Sequence, residues 1–345
     1  MKFNQFLTSY MPDASASGKH HFAELVEQAV MAEEFGFDSV SLPEHHLINI
    51  LLMPSPLQMA VKIAAHTQHI NIVTAVAVLP LRDMRIFAGE LVQADCLCDD
   101  RLIVGVGRGA FAYEMARLGT PIETSREKMQ ESLDVLQALL GDTEVSWKGK
   151  YYQFDAITIM PRPERDIPMM LAVMDPEGIY QAAMRGFHIQ TTVLHANADV
   201  LQQRTTAFHR AKSELGERGR HLSLSLQRVL YCARDEKEAA EKRVMAYEYY
   251  QRFDNVFTGP GTVRNGCIDA LPRGQSIEEL SENLLIYPAE EMIDRLALYQ
   301  DSDIDELILS SGMGQCHQET LEAMQRFSEQ VMPHFQGHSK DRLAL

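Results

Sequence analysis

The chain is poor in the residues that build disulfide or metal-stapled scaffolds. Its five cysteines, Cys96, Cys98, Cys232, Cys267 and Cys316, form no C-x-x-C pair and are odd in number, so no zinc ribbon or disulfide framework follows. Cys96 and Cys98 fall in an apolar, helix-like run and read as small buried thiols. No apolar run reaches about 18 residues, so no membrane span is expected. The opening Met1-Lys2-Phe3-Asn4-Gln5 lacks signal-peptide character. These absences together point to a reducing, cytoplasmic setting. Positive charge is scarce as well: 32 Lys and Arg face 48 Asp and Glu, a net charge of −16. That balance argues against nucleic acid or an anionic membrane as partner, although a few local arginines would still bind a small anion. No nucleophile elbow, Ser/His/Asp order or metal-ligand helix motif stands out.

What is present is ordinary globular material, 46% hydrophobic and 23% charged, able to bury a large core. Strand-like runs are expected over 2–8, 38–42, 70–79, 101–106, 169–173, 189–193, 222–232 and 307–310. Helical spacing fills the intervals. Phe22, Leu25, Val26, Ala29 and Val30 recur at i, i+3, i+4, i+7 and i+8 before Gly36. A later helix is expected to begin at Ser125, with Met129, Leu133, Leu136 and Leu140 facing inward. Eight strands alternating with helices favour an α/β fold of the TIM-barrel type, (β/α)8, as one domain over residues 1–345. Two segments break the rhythm. Residues 142–165, with Trp147, Gly149, Tyr151, Tyr152 and Phe154, read as an inserted hairpin. Residues 254–286, crowded with glycine and proline, read as a mobile active-site lid.

Three stretches could carry chemistry. The apolar run Ser39-Val40-Ser41-Leu42 ends at Pro43 and delivers Glu44, His45 and His46, an acid and two imidazoles at the carboxyl end of a strand. His45 is a candidate general acid/base because imidazole titrates near neutral pH, and Glu44 is its expected support. Taken alone, the stretch could equally start a polar loop. Gly105-Val106-Gly107-Arg108-Gly109-Ala110 follows the fourth strand: its glycines allow close backbone approach, and Arg108 suits an anion. The run formally matches the dinucleotide pattern G-x-G-x-x-A, but it sits in the fourth unit and lacks an acid at the next strand end. Arg126, at the expected helix start, could add a second charge. Asp175-Pro176-Glu177-Gly178 reads as an acidic helix cap. His195, after the sixth strand, could line the same end of the barrel.

Taken in order, these residues resemble the bacterial luciferase-like flavin monooxygenases, above all the luciferase alpha subunit. The shared pieces run nearly end to end: Met1-Lys2-Phe3, Glu33-Glu34-Phe35-Gly36-Phe37-Asp38, Leu42-Pro43-Glu44-His45-His46, the run from Asn71 to Pro80, Arg108-Gly109, Ser125-Arg126 and Val331-Met332-Pro333. The resemblance implies a (β/α)8 barrel holding reduced FMN at the carboxyl ends of its strands. Glu44 and His45 would lie near the flavin, beside a non-prolyl cis peptide at Ala75-Val76. Gly107, Arg108, Gly109 and Arg126 would hold the phosphate side. Val173, Asp175 and Gly178 occupy the turn after the fifth strand, where the family usually carries hydroxyl residues. That departure puts tight FMN binding in doubt. Gly107 stands where luciferase has a cysteine, so light emission is not implied.

The activity implied is that of a two-component monooxygenase. A separate flavin reductase would supply reduced FMN, and dioxygen would form a flavin-peroxide that oxygenates a small, mostly apolar molecule. A homodimer is the family's expected assembly. Two rivals remain: a deazaflavin-dependent oxidoreductase of the same superfamily, and a non-catalytic flavin-binding or partner subunit.

Overall fold

The computed structural model describes residues 1–193, 198–300 and 302–336. Eight parallel strands close into a barrel: Lys2–Phe6, Ser39–Leu42, Asn71–Thr74, Leu102–Gly107, Met169–Ala172, His188–Thr192, Leu224–Ala233 and Glu306–Ser310. The last strand pairs with the first (Lys2↔Glu306 to Phe6↔Ser310), and the seventh bridges the sixth and the eighth. Alternation along the strands sorts side chains into two layers. Val40 and Leu42 face outward into the core shared with Ala29, Ile63 and Ile72. Ser39, in the other register, turns into the lumen. There the Glu306 carboxylate accepts from Ser39 Oγ (2.6 Å), Ser225 Oγ (2.7 Å) and Asn4 Nδ2 (3.4 Å), plugging the barrel's amino-terminal half with a polar knot.

Each early helix has a local reason to start where it does. In α1 (Gly18–Glu34), the Ser17 side chain accepts from His20 N and caps the first turn. The helix ends before Gly36, whose φ of +81° is the left-handed stop that glycine permits. Next come α2 (Pro56–Ala64), with proline at its first position, and α3 (Met84–Leu97), capped by Asp83. The short α4 (Ala112–Arg117) and long α5 (Ile122–Gly141) follow the fourth strand, then α6 (Pro176–Met184), α7 (Ala198–Leu215) and α8 (Glu236–Phe257). No helix among the described residues is long and apolar enough to cross a membrane.

The structure departs from the sequence reading at several points. The run 70–79 is not one strand: it breaks after Thr74 at a cis Ala75–Val76 peptide and resumes for Ala77–Val78, which pairs with Val106–Gly107. Continuous apolarity masks such a break. Helix α5 starts at Ile122 behind Pro121, so Ser125 and Arg126 lie a turn inside it. Of the pair read as buried thiols, Cys96 is exposed and Cys98 is buried, with its thiol pushed up to about 11 by that burial. No helix opens directly on the glycines of 105–109, which removes the dinucleotide pattern. Within 142–165, Val145–Lys148 pairs antiparallel with Gln153–Ile157.

The segment 254–286 holds more order than its composition suggests. It includes the end of α8, a small hairpin (Val263–Arg264 with Cys267–Ile268), a short helix (Ile277–Ser281) and the start of an extra strand, Leu285–Pro288, alongside Leu230–Ala233. Buried Asn255 clasps it, donating to Thr262 O and Asp269 O and accepting from Thr262 N. Arg273 pairs with Asp254, and Asn49 Oδ1 accepts from Ile268 N. Ile268 and Leu280 are buried in a second apolar cluster with Ile48, Ile50, Phe111, Tyr249 and Tyr250. The segment is a packed cap over the barrel mouth.

Candidate active site

Pro43 ends the second strand because it cannot donate to the ladder, and the three polar residues after it enter the barrel mouth. Glu44 is 2% exposed and fully engaged. Its carboxylate accepts from Val78 N (2.9 Å), pairs with Arg82 (2.8 Å) and meets His46 Nε2 (2.9 Å). Glu44 therefore ties the second strand to the segment just past the cis peptide, and the expectation that it supports His45 is corrected. The support comes from Glu114, on α4. One Glu114 oxygen meets His45 Nδ1 at 2.7 Å, and the other accepts from His46 N at 2.8 Å. An ionised carboxylate only accepts, so in the neutral ring this contact puts the His45 proton on Nδ1 and leaves Nε2 with the lone pair. No described residue hydrogen-bonds that Nε2.

The ring is fixed on its face too. His45 stacks on Phe111 with centroids 4.2 Å apart at 20°, and Phe111 meets Phe253 and Phe257 of α8 edge-on. Such contacts contribute about 0.5–1.5 kcal/mol each beyond burial. Tyr10 and Tyr249 extend this aromatic wall. Burial pushes the Tyr250 hydroxyl up to about 12 and raises Tyr249 as well, so both stay neutral at physiological pH.

Sequence spacing concealed Glu114, because 69 positions separate it from His45. A local signal existed: Phe111, Glu114 and Met115, at i, i+3 and i+4, are all buried, which puts the acid on the apolar face of its helix.

Across the mouth, Gly105 and Gly107 make the floor beneath Ala75–Val76. A Cβ at Gly107 would stand 2.6 Å from Val76 Cγ2, and one at Gly105 would strike the Thr74 carbonyl oxygen. Gly109 has φ +83° and abuts Met115 and Val78. Arg108 and Arg126 are exposed, and neither has a hydrogen bond or ion pair among the described residues. Val173 N donates to Gln190 O, joining the fifth and sixth strand ends. Asp175 caps α6 by accepting from Gly178 N at 2.7 Å, so that amide is already used. His195 lies outside the described residues. A cleft of about 430 Å³ lined by Gln202, Thr205, His209, Ser302 and Asp303 involves none of these groups. The chemistry stays with the strand ends.

A TIM-type barrel with its polar groups gathered at the carboxyl ends of the strands defines an enzyme architecture. Residues 1–329 match the luciferase-like monooxygenase model, and the chain belongs to that family. It is 25% identical to the oxygenase component of the flavin-dependent trigonelline monooxygenase of Acinetobacter baylyi, over 99% of this chain and 98% of that one. Among solved structures, the monooxygenase RslO1 of Streptomyces bottropensis aligns with a TM-score of 0.82 at 23% identity, covering 97% of this chain and 100% of that one. The oxygenating constituent of the Pseudomonas putida 3,6-diketocamphane monooxygenase, in complex with FMN, gives 0.76 at 16% over 97% and 98%. An F420-dependent secondary alcohol dehydrogenase with an F420–acetone adduct gives 0.75 at 20% over 96% and 98%. Solved structures of this fold thus include both an FMN complex and an F420 complex. This chain's homologues and structural neighbours include several monooxygenases.

Proposed function

We propose that this chain is the oxygenase component of a two-component system, using reduced FMN from a separate reductase and dioxygen to oxygenate a small, mostly apolar molecule. The observation that carries this reading is His45: an imidazole held by a buried carboxylate on one nitrogen and left open on the other, at the barrel mouth. The residues present fit a flavin. Gly105 and Gly107 let the 74–76 segment with its cis peptide pack closely on the fourth strand, and exposed Ala172 lies beside Gly107. Arg108 and Arg126, without a partner among the described residues, are available to a phosphate. Bound reduced FMN would supply the electrons that activate dioxygen. The protein handles the protons and keeps water out. Nε2 of His45 accepts or returns a proton while Glu114 holds the ring and compensates the imidazolium, as an acid–histidine pair does elsewhere. Glu44 keeps the 75–78 backbone in place. The packed cap and its aromatic wall exclude solvent from one side of the mouth.

The test supplies the purified protein with reduced FMN, ¹⁸O₂ and a panel of small ketones, aldehydes and aromatics. One labelled oxygen in a product supports the reading; hydrogen peroxide as the sole outcome with every compound contradicts it. The F420-bound structure of the same fold favours a second reading, hydride transfer with a deazaflavin. Anaerobic turnover with reduced F420 would establish that reading instead.

A further inference from the structure

The barrel lumen carries two amides that differ in access. Gln190, on the sixth strand, is 5% exposed, and Ile189 beside it packs outward under α6 and α7. Its register partner is Ser225, a member of the polar knot around Glu306. Gln227, on the seventh strand, is only half-buried. Its direction follows from its neighbours. Ser225, two residues earlier, reaches into the lumen to bond Glu306. Leu226 and Leu230 pack outward into the main core, and Arg228 turns outward to Asn283 O and the Tyr299 ring. Gln227 therefore projects into the lumen one layer above the knot.

Its amide is open. Among the described residues nothing hydrogen-bonds the Gln227 side chain, and only its main-chain carbonyl is used, accepting from Thr192 Oγ1 at 3.2 Å. Val229, next on the same face, packs against the cluster that holds Phe111, the ring on which His45 stacks. Ser310, in register with Val229, and Thr8 continue this edge with half-buried hydroxyls 3.1 Å apart. All these groups are neutral. The arginines nearby are committed elsewhere, Arg228 as above and Arg204 of α7 to the Thr192 main-chain carbonyl. An amide that both donates and accepts suits a carbonyl, hydroxyl or amide, whereas a carboxylate placed here would lose water without gaining a countercharge. Val76, Gly107 and Ala172, where the flavin is proposed to lie, offer no polar side chain.

Resting on the oxygenase reading, we infer that Gln227 is a specificity-determining residue. Its amide binds a neutral oxygen- or nitrogen-bearing group of the substrate, and the apolar remainder lies beneath the wall formed by His45 and Phe111.

The experiment loads the full chain with FMN and titrates it with benzamide, toluene and benzoate, three probes built on one ring, by ligand-observed NMR. In wild type, benzoate should bind more weakly than benzamide. For Gln227→Met, close in shape, the benzamide Kd should rise about 3–10-fold, the worth of roughly one neutral hydrogen bond. The toluene and FMN Kd values should hold. Gln227→Leu, of different shape, should behave alike, with unfolding midpoints confirming that both variants fold. An unchanged benzamide Kd, or equal changes for benzamide and toluene, would overturn the assignment. So would a shift in FMN affinity in place of benzamide affinity, which would give the amide to the flavin instead. Benzoate bound as tightly as benzamide, or a wild type that takes none of the three probes, would also overturn it. A wild type that binds no flavin, yet loses benzamide selectively in Gln227→Met, would overturn the FMN reading alone.

Discussion

Glu44 and Glu114 are both buried carboxylates, and each holds one of two consecutive imidazoles, yet they keep different company. Glu44 faces Arg82, a backbone amide and His46, so its charge is balanced by a permanent cation. Glu114 faces only the His45 ring and the His46 amide, with no arginine or lysine among its described partners. The first arrangement is a clamp and holds whether or not His46 carries a proton. In the second, the negative charge is answered only by a group that can change its own. Adjacent histidines in the same sequence motif thus receive different roles from acids on different elements.

That contrast can be broken by substitution. The largest effect is expected for His45→Ala: product formation should fall about 10²–10⁴-fold, the range for loss of a general acid/base, with flavin affinity kept. Normal product yield in steady-state assays of that variant would remove His45 from the mechanism. Glu44→Ala should act on the fold instead. It leaves Arg82 without its carboxylate in a mostly buried setting, at a cost of about 3–5 kcal/mol by denaturant unfolding. A stability equal to wild type would show that Glu44 is no clamp.

His188 sharpens the comparison by having no carboxylate hydrogen-bonded to it. Its Nδ1 meets Ser223, and burial, with His221 adding, lowers its pKa from 6.5 to about 4. The unfolded chain therefore takes up this proton first as pH falls. Stability should drop between pH 6.5 and 4, by roughly 3 kcal/mol in total, and the contribution should level off below that. Unfolding free energies across this window check it, and His188→Gln should flatten the curve. The smallest effect is expected for Glu114→Gln, which keeps the shape but not the charge. Turnover should fall about 10–100-fold, in the low part of the acid/base range, with little loss of stability. If Glu44→Gln cut turnover as much with the fold intact, the division of roles between the two acids would fail.

The strands and most helices were legible because apolar periodicity reports which faces are buried, and burial is what closes a barrel. All eight barrel strands were visible for that reason. The break at Ala75–Val76 was not readable from periodicity, since Ala75, Val76, Ala77 and Val78 are as apolar as a continuous strand; only the family resemblance suggested it. The strand Leu285–Pro288 was absorbed into a glycine- and proline-rich segment, whose order comes from tertiary clasps such as Asn255 and Arg273. His45 could be singled out by its place after Pro43. Its partner could not, because Glu44 is the nearer acid in sequence while Glu114 is the nearer one in space.

The central claim is that Glu114 fixes His45 with its proton on Nδ1 and its Nε2 open. Nitrogen-15 NMR of histidine-labelled protein, with His45 assigned by substitution, reads this directly above neutral pH. The account predicts a protonated Nδ1 and a bare Nε2 in the wild type, with that preference lost in Glu114→Gln. A His45 protonated on Nε2, or one indifferent to Glu114→Gln, would contradict it.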